Sequence, residues 1–298
     1  MHRNVEILYH TPDCCTVAHN VLFCCDRMTK VKTCVIPAAG LGKRFLPMTR
    51  SMPKEMLPLV DKPIIQYVVE EAAASGLETI LIVIGKGKDA IIDYFDSNRS
   101  DGNNENSWLD SLPNIFFVRQ NEPRGLADAV GCAKSFVNDE PFAVLLGDTV
   151  YTSDSGVPVT AQLLRTYEHI GAPVIAVEKV RREKIRDYGI IAGKMVAKQL
   201  WKIFGMVEKP EPSQAPSNIG ITGTYILEPE IFKYIEKLLP GKNGELQLTE
   251  ALCNMLHDYD IYGAGFNGKR YDIGTKELWI SANQEFLRKD RRFSCLLR

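Results

Sequence analysis

Short continuous apolar runs alternate along this chain with longer stretches whose apolar residues recur at helical spacing. Residues 33–36 form an apolar run that stops at Pro37, and the side-chain-poor stretch Ala38, Ala39, Gly40, Gly42 follows. The spacing in 63–75 predicts a helix, with Pro63 suited to its first turn and Gly76 to its stop. Residues 78–84 are a continuous β-branched run, the mark of a strand buried on both faces. A second helix is predicted over 89–95. Strand, loop, helix, strand, helix is the alternation of a parallel sheet with right-handed crossovers.

The pattern continues to the end. Residues 97–107 are polar and read as a loop; 115–119 predict a strand, 125–136 a helix, and 142–146 a buried strand that stops at Gly147-Asp148. A helix is expected over 162–169, a strand over 173–177, a solvated helical turn in the charged run 181–186, and a hairpin from 187–193 and 199–207. A strand over 222–227, helices over 229–238 and 246–257, short strands over 261–266 and 270–273, and a helix over 277–289 complete the reading. No repeat and no linker divides the chain, so one large α/β domain is expected over 31–298.

Composition narrows the class. The 298 residues are 45% apolar and 24% charged, with a formal net charge of −1, which gives no footing to a nucleic-acid or membrane-surface partner. The longest apolar runs are far too short to cross a bilayer, and no cationic start with an apolar core opens the chain; a cytoplasmic protein is expected. Of eight cysteines, Cys14, Cys15, Cys24 and Cys25 crowd the start, in adjacent pairs that lack zinc-site spacing. The others stand singly, as in a reducing compartment. Residues 1–30 read as an extension outside the fold, and Met28 could itself serve as a start. Three of the five histidines fall in that extension; His169 and His257 have no nucleophile signature near them, so a histidine base is not expected.

The chemistry concentrates after the first strand. A buried strand that empties into small residues carrying Lys43 and Arg44, with Lys54 further on, brings backbone N–H groups and cations to phosphate. The stretch reads as a holder for a nucleoside triphosphate. Phe45 stands where a dinucleotide fingerprint needs its third glycine, and Pro47 breaks the helix that a P-loop needs. Asp148, off the end of a buried strand, stays open between a metal or substrate ligand and a helix cap.

Several motifs stand in a fixed order: Gly40-Leu-Gly-Lys-Arg44, Pro53-Lys-Glu-Met-Leu-Pro-Leu-Val-Asp-Lys-Pro63, Gln66-Tyr-Val-Val69, Val207-Glu-Lys-Pro210, Ala215-Pro-Ser-Asn218, Glu245-Leu-Gln-Leu-Thr249 and Asp272-Ile-Gly274. In these the sequence resembles the prokaryotic UTP–glucose-1-phosphate uridylyltransferases, of the sugar-phosphate nucleotidyltransferase superfamily, over about residues 31–288. The loop motif fits the whole superfamily; the run from Pro53 to Val69 is specific to the uridylyltransferases.

The resemblance implies a Rossmann-like, mixed and mainly parallel central sheet flanked by helices. It implies that UTP and glucose 1-phosphate give UDP-glucose and pyrophosphate with Mg2+, in a homo-oligomer, dimer or tetramer. Arg44 and Lys54 would hold the triphosphate; Lys209 would grip the sugar phosphate and Glu208 the sugar hydroxyls. Asp148 and Asp272 would hold magnesium. Ala38, Ala39, Gly40, Gly42, Gln120 and Gly125 would receive the nucleotide, Gly125 lying against the base. Gly223 and Thr224, with Glu245, would line the sugar pocket; Asp128 would assist the site or begin a helix favourably. Lys43 replaces a usual threonine, and Leu126-Ala-Asp128 departs toward the thymidylyltransferases. A thymidylyltransferase and a non-catalytic nucleotide-sugar-binding regulator are therefore the rival readings, though the charged set is complete.

Overall fold

The computed structural model describes residues 30–96, 108–241, 244–290 and 292–293, so the expected extension 1–30, apart from Lys30, and the polar stretch 97–107 lie outside the described residues. The strands are β1 (Thr33–Ala38), β2 (Pro58–Leu59), β3 (Lys62–Pro63), β4 (Thr79–Ile84), β5 (Asn114–Arg119), β6 (Phe142–Leu145) and β7 (Thr149–Ser153). They continue with β8 (Val174–Lys179), β9 (Gly189–Ala197), β10 (Leu200–Glu208), β11 (Ile219–Leu227), β12 (Ile261–Ala264) and β13 (Gly268–Asp272). The helices are α1 (Ile64–Ala74), α2 (Asp89–Phe95), α3 (Leu126–Gly131), α4 (Lys134–Val137), α5 (Val159–Ile170), α6 (Ile231–Ile235), α7 (Leu248–Met255) and α8 (Lys276–Lys289).

A nine-stranded sheet in the order β5-β4-β1-β6-β11-β8-β12-β10-β9 forms the centre. β5, β4, β1 and β6 run parallel, β11 runs against β6 and β8, and β10 runs against β12 and β9. β1 shows why the sheet is buried on both sides: Cys34 and Ile36 pack into one core, Val35 into the other. β4 repeats this, with Ile80, Ile82 and Ile84 on one face and Leu81 and Val83 on the opposite one. Residues of α1, α2 and α5 fill the first core, those of α3, α6 and α7 the second. β1 runs two residues beyond the apolar run, through Pro37; its register with β6 ends at Val35, so Pro37 lies past that ladder.

Two features bring distant segments to one edge. β9 also meets β11, at Ile190 and Gly220, while Gly220 faces Glu178 of β8. The sheet thus folds round on itself and returns the end of β10 to the edge where β8 ends. Separately, β13 pairs antiparallel with β7, opposing Asp272 to Thr149. A third, smaller core of Phe45, Leu57, Leu59, Ile64, Val150, Tyr271, Ile273 and Ala282 lies under α8. The helix expected over 125–136 is two pieces, α3 and α4, separated at Cys132-Ala133.

Candidate active site

The carboxyl ends of the parallel strands open into a cleft of about 1360 Å³. The turn after β1 forms its floor. Gly42 has φ of +63°, and a Cβ there would meet the Thr49 methyl at 3.0 Å, so the tight turn wants glycine. Thr49 Oγ1 donates to the Gly42 carbonyl at 2.9 Å and closes the turn. Arg44 leaves this turn and lies against Gly274, where an added Cβ would stand 3.4 Å from its guanidinium.

Lys54, in a short 3-10 turn, donates to Asp148 Oδ2 at 2.5 Å. Burial would raise the Asp148 carboxyl, but Lys54 and Arg44 together hold it below the usual range. Burial likewise opposes the charge on Lys54, and the carboxylates of Asp148 and Glu55 overcome it, leaving Lys54 above the ordinary lysine range. Behind Lys54, Glu55 is 1% exposed and accepts from Lys88 Nζ at 2.6 Å. Two lysines and two carboxylates thus interlock under the floor. Neither Glu55 nor Lys88 stood out in the sequence.

The β7–β13 ladder sets Asp272 beside Asp148, and the Ile273 N–H donates to the Asp148 carbonyl at 2.9 Å. Burial and the neighbouring Asp148 charge push the Asp272 carboxyl up, against Arg270 and Arg44. Arg270, side chain 6% exposed, donates through Nε and Nη2 to Glu178 Oε1 at 2.9 and 2.7 Å and sits over the Tyr188 ring, 4.9 Å from its centroid. Its Nη1 lies 3.5 Å from Asp272 Oδ2. Sequence reasoning passed over Arg270; its spacing of two from Asp272 on a strand, which puts both on one face, was the available signal.

Across the cleft stand Glu208 and Lys209. Thr249 Oγ1 donates to Glu208 Oε2 at 2.7 Å, and Lys209 Nζ lies 3.0 Å from Glu208 Oε1. Lys209 holds φ of +45°, a costly conformation for a side-chain-bearing residue, and its N–H donates to the Tyr188 carbonyl at 3.0 Å. Gly223, φ +93°, interrupts the register of β11, and its carbonyl accepts from the Leu146 N–H at 3.1 Å. Thr224 is fully buried and bonds the Tyr151 hydroxyl at 3.1 Å, so Thr222 and Tyr225 line the cleft beside Gly223 instead.

At the third wall Gln120 lies at the end of β5, donating through Nε2 to Asp128 Oδ2 at 2.6 Å and to the Gly125 carbonyl at 3.3 Å. Gly125 has φ of +111°; a Cβ there would stand 2.5 Å from the Leu246 carbonyl oxygen. The Glu245–Gln247 strip is what forbids a side chain, bound by Leu246 N–H to Arg124 O at 2.6 Å and Ala127 N–H to Leu246 O at 3.0 Å. Ala39, Gly40, Gly42, Arg44, Lys54, Gln120, Gly125, Asp148, Glu208, Lys209, Gly223, Glu245 and Asp272 all line the cleft; Ala38 lies just beneath it, 1% exposed. Arg181, Lys184 and Arg186 of the charged run are exposed, and they stand on its rim.

Among the described residues no cluster of three or more His, Cys, Asp or Glu could hold a metal by itself. The Asp148–Asp272 pair, oxygen donors only, suits a hard cation whose remaining ligands come from phosphate and water. No helix of the described residues is long and apolar enough to cross a membrane.

Comparison with known proteins bears directly on this cleft. Residues 33–289 match the nucleotidyl transferase family model. A UTP–glucose-1-phosphate uridylyltransferase of Staphylococcus saprophyticus is 43% identical over 272 residues, covering 88% of this chain and 94% of the relative. One of Streptococcus pyogenes is 48% identical over 263 residues, covering 84% and 86%. A crystal structure of a UDP-glucose pyrophosphorylase complexed with UDP-glucose superposes with a TM-score of 0.83 at 39% identity, over 87% of this chain and all (100%) of that one. The UTP-bound enzyme of Acinetobacter baumannii gives 0.81 at 32% identity, covering 90% and 97%. On its sequence, its sheet and the matched cleft, the chain belongs to the nucleotidyl transferase family, among the UTP–glucose-1-phosphate uridylyltransferases.

Proposed function

We propose that this chain transfers the uridylyl group of UTP to glucose 1-phosphate, giving UDP-glucose and pyrophosphate, and that residues 31–298 are the catalytic unit. One observation carries the reading: Lys54, Asp148, Asp272 and Lys209, from four separate segments, converge on a single cleft beside the glycine turn. In-line attack by the sugar phosphate on the α-phosphorus needs no covalent enzyme intermediate, so the work is positioning and charge neutralisation.

Each wall has a task in this scheme. The Ala39–Gly42 turn and Gln120 receive the nucleotide, and Arg44 and Lys54 face the triphosphate and offset the charge that builds on departing pyrophosphate. Lys209, fixed in its strained backbone, brings the sugar phosphate to the α-phosphorus; Glu208, oriented by Thr249, accepts from sugar hydroxyls. Asp148 and Asp272 would hold a magnesium ion, which when bound supplies charge neutralisation across the phosphates. Among the described residues Cys34, Cys132 and Cys253 are free thiols standing singly, which fits a reducing cytoplasm. The β9–β10 hairpin exposes the apolar side chains of Met195, Val196 and Phe204, the last 71% exposed, and this supports assembly into a homo-oligomer.

Two variants test the scheme. Lys209→Ala is expected to raise KM for glucose 1-phosphate about tenfold or more and to lower kcat, leaving KM for UTP near its original value. Asp272→Asn is expected to remove about 99% or more of turnover without loss of the folded state by circular dichroism. Near-normal turnover of Asp272→Asn at saturating magnesium would remove the metal role.

A further inference from the structure

The Gln120 amide can be oriented in only one way. Its backbone N–H continues the sheet, donating to Ile84 O at 2.8 Å, and the residue is 4% exposed. Its side-chain nitrogen faces Asp128 Oδ2 at 2.6 Å and the Gly125 carbonyl at 3.3 Å. A carboxylate and a backbone carbonyl can only accept. A glutamine amide left to itself can turn over and exchange donor for acceptor. Here the turned-over amide would set its oxygen against two acceptors. Asp128 is itself held, its other oxygen accepting from Arg124 Nη2 at 2.6 Å. What Gln120 offers the cleft is therefore its carbonyl oxygen.

A fixed acceptor discriminates between pyrimidines. Uracil carries N3–H in the middle of its pairing edge, a donor; cytosine carries a lone pair at the same ring position. An acceptor that cannot become a donor bonds the first and leaves the second with two opposed lone pairs, an unpaired polar contact against a side chain that is itself buried. We propose that Asp128 is a specificity-determining positioning residue, which selects uracil over cytosine by holding the Gln120 amide with its oxygen toward the base. This rests on the reading of Gln120 as the base contact. Thymine presents the same N3–H, so the lock does not separate UTP from dTTP.

The test compares kcat/KM for UTP and CTP, at saturating glucose 1-phosphate, in the wild-type protein, Asp128→Ala, Gln120→Ala and the double variant. Asp128→Ala is expected to lower the UTP-to-CTP ratio about tenfold, with KM for glucose 1-phosphate unchanged. Because Asp128 acts through Gln120, the double variant should discriminate no worse than Gln120→Ala alone. Should Asp128→Ala fail to fold, Asp128→Asn reads the same ratio, since its amide can present either a donor or an acceptor; a smaller drop is expected there. An unchanged ratio in the Asp128 variants while Gln120→Ala lowers it would overturn the proposal alone, as would an equal loss for both nucleotides. If Gln120→Ala changes neither the ratio nor KM for UTP, the base site itself lies elsewhere.

Discussion

Lys54 stands between two carboxylates, Asp148 in front and Glu55 behind, and the second is neutralised from the far side by Lys88. Removing one member of a buried pair leaves a charge with no water to solvate it, which costs more than the pair contributes. Lys88→Met should therefore destabilise the protein by about 3 kcal/mol, read as a lowered urea midpoint. Adding Glu55→Leu should recover much of that loss, because the stranded carboxylate goes with it. A Lys88→Met variant as stable as the wild type would mean that Glu55 is neutral without its lysine. Single residues such as Arg44, Lys54, Asp148, Lys209 and Asp272 are legible in the sequence through the motifs around them. Glu55, Lys88 and Arg270 are not: a charged residue reads as exposed until its partner is known, and Lys88 and Glu178 lie far along the chain from theirs.

Among the elements, α8 does the least obvious work. Its N-cap Thr275 accepts from the Leu278 N–H at 3.3 Å, Trp279 Nε1 donates to the Pro58 carbonyl at 2.8 Å, and Asn283 Oδ1 accepts from the Val60 N–H at 2.8 Å. The helix so clamps the turn between β2 and β3, inside the motif that continues from Lys54. It also holds β13: the Tyr271 hydroxyl donates to Glu285 Oε1 at 2.6 Å, and Lys269 and Lys289 flank the same carboxylate. Hydrogen bonds from Lys269 and Tyr271 bring the Glu285 carboxyl down to about 2. A depressed folded value means stability that is present above the unfolded carboxylate range, near 4.3, and lost as pH falls toward about 2. Glu285→Gln should thus be about 1 kcal/mol less stable than wild type at pH 7, and the gap should close between about pH 4 and pH 2 in thermal melts at stepped pH. A gap constant across that range would contradict the assignment. The long strands and helices follow from hydrophobic period. The strand expected over 270–273 is found as β13, but β7 does not follow from that period, because it is short, of mixed polarity and outside the main sheet, and the pairing of the two is supplied by tertiary structure. That small ladder is nevertheless what sets Asp272 beside Asp148.

For the whole molecule, one sheet edge collects the chemistry. The parallel half supplies the glycine turn, Gln120 and Asp148; the half that folds round on β11 returns Glu208 and Lys209 to the same edge. Alternating elements predict the parallel half from sequence, whereas the return of β9 to β11 leaves no periodic trace, since it depends on curvature over long strands. Both halves must be in place for donor and acceptor phosphates to meet. Uridylyl transfer at this shared edge is read by pyrophosphate release with glucose 1-phosphate and UTP, dTTP, CTP, ATP or GTP, with magnesium or with excess chelator. Release is expected with UTP and glucose 1-phosphate together, none when either is omitted, and none after chelation. No release with any nucleotide in the presence of magnesium would contradict uridylyl transfer, and release with dTTP alone would assign the cleft to thymidylyl transfer instead.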